Sequence, residues 1–146
     1  MRTAFPIIFL FCLTAMSCEE ENDAEIIIKT GRDCGWCGGS DSLTLTKVNN
    51  HYEFRNSCPE PPSKEEYKRA NRTQWNELLA ALDWDTFKQV NVNTCAQCAD
   101  GCDTWVVIEN KNETHQIRFT ENSPEIDPIR EFVEKLDALH EEFRPD

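Results

Sequence analysis

Six cysteines between positions 34 and 102 constrain this chain more than any other feature. Cys34-Gly-Trp-Cys37 and Cys95-Ala-Gln-Cys98 stand 61 positions apart (34 to 95), with Cys58 following the first pair and Cys102 the second. An even set in a chain of 146 residues can form three disulfides, a tetrathiolate zinc site with one bridge left over, or a thiol-disulfide exchange centre. The compartment separates these readings, because disulfides persist where the chain is exported and thiolates persist where it is not. A redox CxxC also wants a helix N-terminus behind it to lower the thiol pKa, whereas Gly38-Gly39-Ser40 runs on towards a strand.

The first residues speak for export. Met1-Arg2 is a short positive start, and Ala4 to Leu13 is an apolar run of signal-peptide length, too short to span a bilayer. Small residues, Ala15 and Ser17, then precede Cys18. The chain has eight cysteines; losing Cys12 with a leader leaves an odd number, and an odd thiol in an oxidising compartment needs another occupation. Ala15-Met16-Ser17-Cys18 resembles the lipobox of bacterial lipoproteins, with Ala15 where Leu is commonest, and the following Glu19-Glu20-Glu21-Asn22-Asp23 resembles the acidic run of surface-displayed lipoproteins in some Gram-negative bacteria. The resemblance covers only this leader region. It implies a lipid on Cys18, attachment to the membrane through that lipid, and a cell-envelope location at the outer membrane facing the surface. The division that follows is a signal peptide over 1–17, a lipidated acidic tether over 18–24, and one domain over 25–146. A secreted eukaryotic protein is the competing expectation, with Asn71-Arg72-Thr73 and Asn112-Glu113-Thr114 as glycosylation acceptors.

Export makes disulfides among Cys34, Cys37, Cys58, Cys95, Cys98 and Cys102 the expected use of the thiols, with no metal and no cofactor. At least two bridges are expected to cross between the halves, since long loops remove more unfolded-chain entropy than a CxxC closed on itself. Losing Arg2 with the leader shifts the net charge from −12 to −13, a field that repels nucleic acid and serves solubility or a cationic partner.

The apolar pattern repeats in the two halves. Ile26-Ile27-Ile28 opens a strand, and Arg32 to Gly39 reads as a loop. Leu43 and Leu45, then Tyr52 and Phe54, alternate with polar residues on either side of Asn49-Asn50, which predicts a hairpin. Ser63 and Glu66 form a capping-box pattern that predicts a helix from near Lys64. Trp75, Leu78, Leu79 and Leu82 form one helical stripe behind Thr73, and Asp83 to Val90 continues as a short helical turn. Past the second CxxC, Trp105 to Ile108 and His115 to Phe119 flank Asn110-Lys111-Asn112 as a second hairpin. Ile129, Phe132, Val133, Leu136, Leu139 and Phe143 then share one helix face, with Ser123 or Asp127 as its cap. The expected fold is α+β: tandem ββα-ββα, an antiparallel sheet with helices on one face, stapled by disulfides. In kind this is similar to bacterial β-lactamase inhibitor proteins, whose tandem α/β repeats present a sheet to an enzyme.

No catalytic constellation emerges. The histidines (His51, His115, His140) form no motif and are expected to face solvent; there is no nucleophile elbow and no HExxH. Trp36, a rigid aromatic held between two cysteines, is the candidate contact for a partner. The expectation is therefore a non-enzymatic binding or inhibitory module for a protein partner. The alternative is an envelope enzyme or metal-binding protein using the CxxC cysteines.

Overall fold

The computed structural model describes residues 26–36, 38–56, 58 and 62–144. The expected leader, Cys18, the acidic tether and Cys37 lie outside them. Six strands, β1 (Ile27–Cys34), β2 (Ser40–Leu45), β3 (Asn49–Arg55), β4 (Lys64–Arg69), β5 (Cys102–Asn110) and β6 (Glu113–Phe119), form one sheet in the order β4-β3-β2-β1-β5-β6. Every neighbouring pair is antiparallel. Between β4 and β5 come the helices α1 (Arg72–Ala81) and α2 (Trp84–Gln89), and α3 (Arg130–Glu141) follows β6. The α+β class and the antiparallel sheet with disulfides are as expected.

One sheet face is apolar by strict alternation. Ile28, Leu43, Leu45, Tyr52, Val106 and Ile108 point to that side and are buried beneath Trp75, Leu78, Phe87, Phe132 and Leu136 of the helices. Phe87 is the hinge of this packing, edge-on to Phe132 at 6.0 Å and to His115 at 5.4 Å. The helix starts follow from local chemistry. Asn71, two residues ahead of the expected start at Thr73, is the cap of α1 and accepts from the Thr73 and Gln74 amides, and Asp83 accepts from the Thr86 amide. Neither Ser123 nor Asp127 caps α3. Pro124 and Pro128 instead set a 3-10 helix, Pro124–Ile129, that leads into it with Ile129 at the cap position.

Four local expectations are corrected. Residues 64–69 form a strand, not a helix: the Ser63 hydroxyl accepts from the Asn56 amide at 3.4 Å rather than capping a helix, and β3 pairs with the segment from Phe54–Lys64 to Asn49–Arg69. The first hairpin turns at Thr46 to Asn49, where Thr46 Oγ1 accepts from the Asn49 amide at 2.9 Å; Asn49 and Asn50 already belong to β3. Arg32 to Cys34 is not loop but the end of β1, with Arg32 and Asp33 paired to both β2 and β5 and Cys34 to β5. The fourth correction concerns the disulfides. Cys34 is bonded to Cys102 and Cys95 to Cys98, and Cys58 is also disulfide-bonded. All three cysteines of the second half are thereby used, so a single bridge joins the halves. The second hairpin turns where expected, with Lys111 taking a positive φ of 58° at the tight loop between Asn110 and Glu113.

On the face away from the helices, Trp105 lies over Gly31, its partner across β1 and β5. A Cβ on Gly31 would stand 2.4 Å from Trp105 Cζ2 and 2.1 Å from the Asp41 carbonyl oxygen. Gly31→Ala is therefore expected to cost about 1–3 kcal/mol, because the indole or the strand must shift. Urea unfolding measures this, and a wild-type midpoint would show that both the indole and the Asp41 backbone yield freely.

Candidate functional site

Both CxxC segments meet at one end of the central strands. Cys34 and Cys102 are register partners on β1 and β5, and their disulfide spans a Cα–Cα distance of 4.1 Å. Beyond it, the Gly35 amide donates to the Gly101 carbonyl at 2.9 Å, and the Cys34 amide donates to the Gly39 carbonyl at 3.0 Å. The close approach demands glycine at 35, where a Cβ would lie 2.7 Å from the Gln97 carbonyl oxygen. Trp36 follows at the tip with φ 53°, a left-handed conformation that non-glycine residues seldom adopt, and it is 83% exposed. The indole thus projects from a turn fixed at its base by a disulfide and by backbone hydrogen bonds.

The second segment packs beside this turn. Cys95–Cys98 closes around a 3-10 turn, Ala96–Ala99, that ends with Asp100 in the left-handed region and the Gly101 amide donating to the Ala96 carbonyl. Asp103, wholly buried, anchors it: Thr94 Oγ1 donates to Oδ1 at 2.5 Å and the Gln97 amide to Oδ2 at 3.1 Å. Burial pushes the Asp103 carboxyl up, but these hydrogen bonds and nearby Arg118 outweigh it and hold the group below the usual carboxylate range. With Cys34 bonded to Cys102 and Cys95 to Cys98, three of the four sulfurs a four-thiolate zinc site would draw on are spent.

A second cluster stands on the open sheet face. His51 and Glu53 alternate onto that face of β3, and the register sets Glu65 opposite Glu53 and Tyr67 opposite His51. His51 Nε2 lies 3.1 Å from Glu65 Oε1 and 3.7 Å from Glu53 Oε1. The Tyr67 ring stacks on His51 at 4.1 Å and 8°, and its hydroxyl donates to Glu65 Oε1 at 2.9 Å. That hydroxyl, together with His51, holds the Glu65 carboxyl below its ordinary range.

A third cluster is enclosed. His140 is 1% exposed, which corrects the expectation of a solvent-facing histidine: its Nε2 lies 3.3 Å from Asp41 Oδ1. Arg144 Nε stands 3.3 Å from Asp41 Oδ2, the Tyr52 hydroxyl 3.5 Å from the same oxygen, and the Arg32 amide donates to Oδ1 at 2.7 Å. Burial raises the Asp41 carboxyl, yet His140, the Arg32 amide and Arg144 prevail and lower it below the usual range; burial and the Asp41 charge push the Tyr52 phenol up. Closed to solvent, this group ties the C-terminal end of α3 to β2 and β3 and offers a substrate no approach. His115 is likewise structural, its Nε2 2.8 Å from the Val90 carbonyl oxygen.

The structure thus brings Cys34, Cys95, Cys98, Cys102 and Trp36 together at one end of the sheet, the end at which β3 finishes before Cys58. Sequence reasoning missed the His51 and Asp41 clusters. No protein-family model matches the chain, and no curated protein matches it in sequence.

Proposed function

We propose that this chain is a lipid-anchored cell-envelope protein, held at the outer membrane through Cys18, that acts as a non-enzymatic binding or inhibitory module for a protein partner. The observation that carries the binding role is Trp36: a large aromatic, 83% exposed, in a strained backbone conformation on a turn fixed by the Cys34–Cys102 bridge. Strain of this kind persists where the surroundings over-determine it, and a preorganised indole loses little entropy on docking, which is why tryptophan dominates binding hot spots. The order of CxxC segment, hairpin and helix common to the two halves supports a duplicated ββα origin, with β1, β4 and α2 as additions to the first half. The lipobox resemblance and the cysteine parity support the anchor.

Two experiments test the two parts. Cys18→Ser is expected to release the protein from detergent micelles into the aqueous phase; retention like wild type would refute the anchor. Capture of envelope and host proteins on the immobilised, oxidised chain is expected to recover a partner whose affinity falls at least about 30-fold in Trp36→Ala, the scale of a hot-spot residue. Undiminished capture by a Trp36→Ala variant with a wild-type melting temperature would remove the indole from the interface.

A further inference from the structure

We propose that the open sheet face carries a divalent-metal site of the zinc class, with His51, Glu53 and Glu65 as ligands. The three donor atoms lie within 4.8 Å of one another. A zinc ion with bonds of about 2.0–2.2 Å requires tetrahedral ligand–ligand separations of about 3.3–3.5 Å. The distances from His51 Nε2, 3.1 Å to Glu65 and 3.7 Å to Glu53, lie close to that range, and the two carboxylates, no more than 4.8 Å apart, would close on an ion by side-chain rotation. An imidazole with two carboxylates is also a donor set of the right softness and of charge matched to a dication, unlike a purely acidic patch.

The donors are held as metal ligands are held, by partners behind them. Tyr67 stacks on the His51 ring and donates to Glu65 Oε1, and Arg55 donates to Glu53 Oε2 at 3.3 Å. All three ligands stand on paired strands, which fixes their spacing better than a loop would. The side chains of His51 and Glu65 are 28% and 57% exposed, so the fourth position opens to water or to a donor from a docked molecule. This site owes nothing to the Cys34–Cys102 and Cys95–Cys98 bridges at the far end of β1 and β5, and it is independent of the Trp36 turn. The alternative reading of the trio is an exposed ion pair around a protonated imidazole, which contributes little to stability.

Zinc titration of the full oxidised chain in detergent, stripped with EDTA and desalted, decides between them, with Co2+ as a spectroscopic probe. The expected result is one Zn2+ per chain, and Co2+ visible bands without the near-ultraviolet charge transfer that thiolate ligands give. His51→Gln and Glu65→Gln should each weaken binding at least tenfold, and Tyr67→Phe, which keeps the ring stack but removes the hydroxyl, by about tenfold. Melting temperatures in EDTA should stay at the wild-type value; should His51→Gln unfold, Tyr67→Phe carries the test. Absence of saturable Zn2+ binding, binding that His51→Gln and Tyr67→Phe leave unchanged, or a thiolate signature with Co2+ would overturn the assignment.

Discussion

Asp41→Ala is expected to destabilise the domain by about 3–5 kcal/mol, the cost of removing one partner from a buried charge cluster. The carboxylate answers to His140, Arg144, the Tyr52 hydroxyl and the Arg32 amide at once. Its loss strands an imidazole that is 1% exposed, and a buried polar group without a partner bears its full desolvation penalty. The damage spreads to the end of α3. There Phe143 packs on Tyr52 at 5.9 Å, and the Phe143 carbonyl accepts from Lys64 Nζ at 2.7 Å, which fastens edge strand β4 to the C-terminal segment. Urea unfolding of wild type and variant measures the effect, and a difference under about 1 kcal/mol would place the group among surface ion pairs.

The same carboxylate sets a pH dependence. Asp41 titrates below its unfolded value of about 3.9. Its contribution is therefore fully present above that pH and is lost as pH falls through the lower folded value, where the unfolded chain binds the proton more readily. Asp103 acts in the same direction. Stability should be level above about pH 5 and fall below about pH 4, with a shallower fall in Asp41→Asn, which keeps an acceptor for the Arg32 amide but never carries charge. Parallel acid limbs in the two proteins would mean that other carboxylates control acid unfolding.

Most of the fold is legible wherever one face of an element is apolar. Leu43, Leu45 and Tyr52 gave away the first hairpin, the Trp75 stripe α1, and Phe132 to Phe143 the last helix, because each must bury a face and the period of burial names the element. Strand β4 is illegible for the converse reason. Lys64 to Arg69 is an edge strand with Lys-Glu-Glu before Tyr67 and Lys-Arg after it, a charged composition that protects a sheet edge from further pairing, and it buries no apolar stripe. Only the Ser63–Glu66 pattern spoke there, and it spoke for a helix. The missing strand hid the His51 cluster, since Glu65 and Tyr67 reach His51 only through the β3–β4 register. Asp41 was hidden more deeply, because its basic partners, His140 on α3 and Arg144 just past it, lie far along the chain and no local pattern announces a buried charge. Trp36 was legible from its setting between cysteines, although the left-handed backbone that projects it was not.

Removing the Cys34–Cys102 bridge with paired alanines should cost about 4.5 kcal/mol, while removing Cys95–Cys98 the same way should cost about 2 kcal/mol. The two bridges close loops of very different length, with sequence separations of 68 and 3, and the chain-entropy model scales with the logarithm of that length. The difference of about 2.5 kcal/mol is the more trustworthy prediction, because terms common to both substitutions cancel. The long bridge also joins register partners on the two central strands, so its loss leaves the β1–β5 hydrogen bonds available and should lower stability without abolishing the fold. The expected signature is thus a lower urea midpoint with an unchanged far-ultraviolet spectrum for Cys34→Ala/Cys102→Ala, against a shift about half as large for Cys95→Ala/Cys98→Ala. Equal losses would mean that the short bridge acts in the folded state, by holding the 3-10 turn over buried Asp103, rather than through the entropy of the unfolded chain.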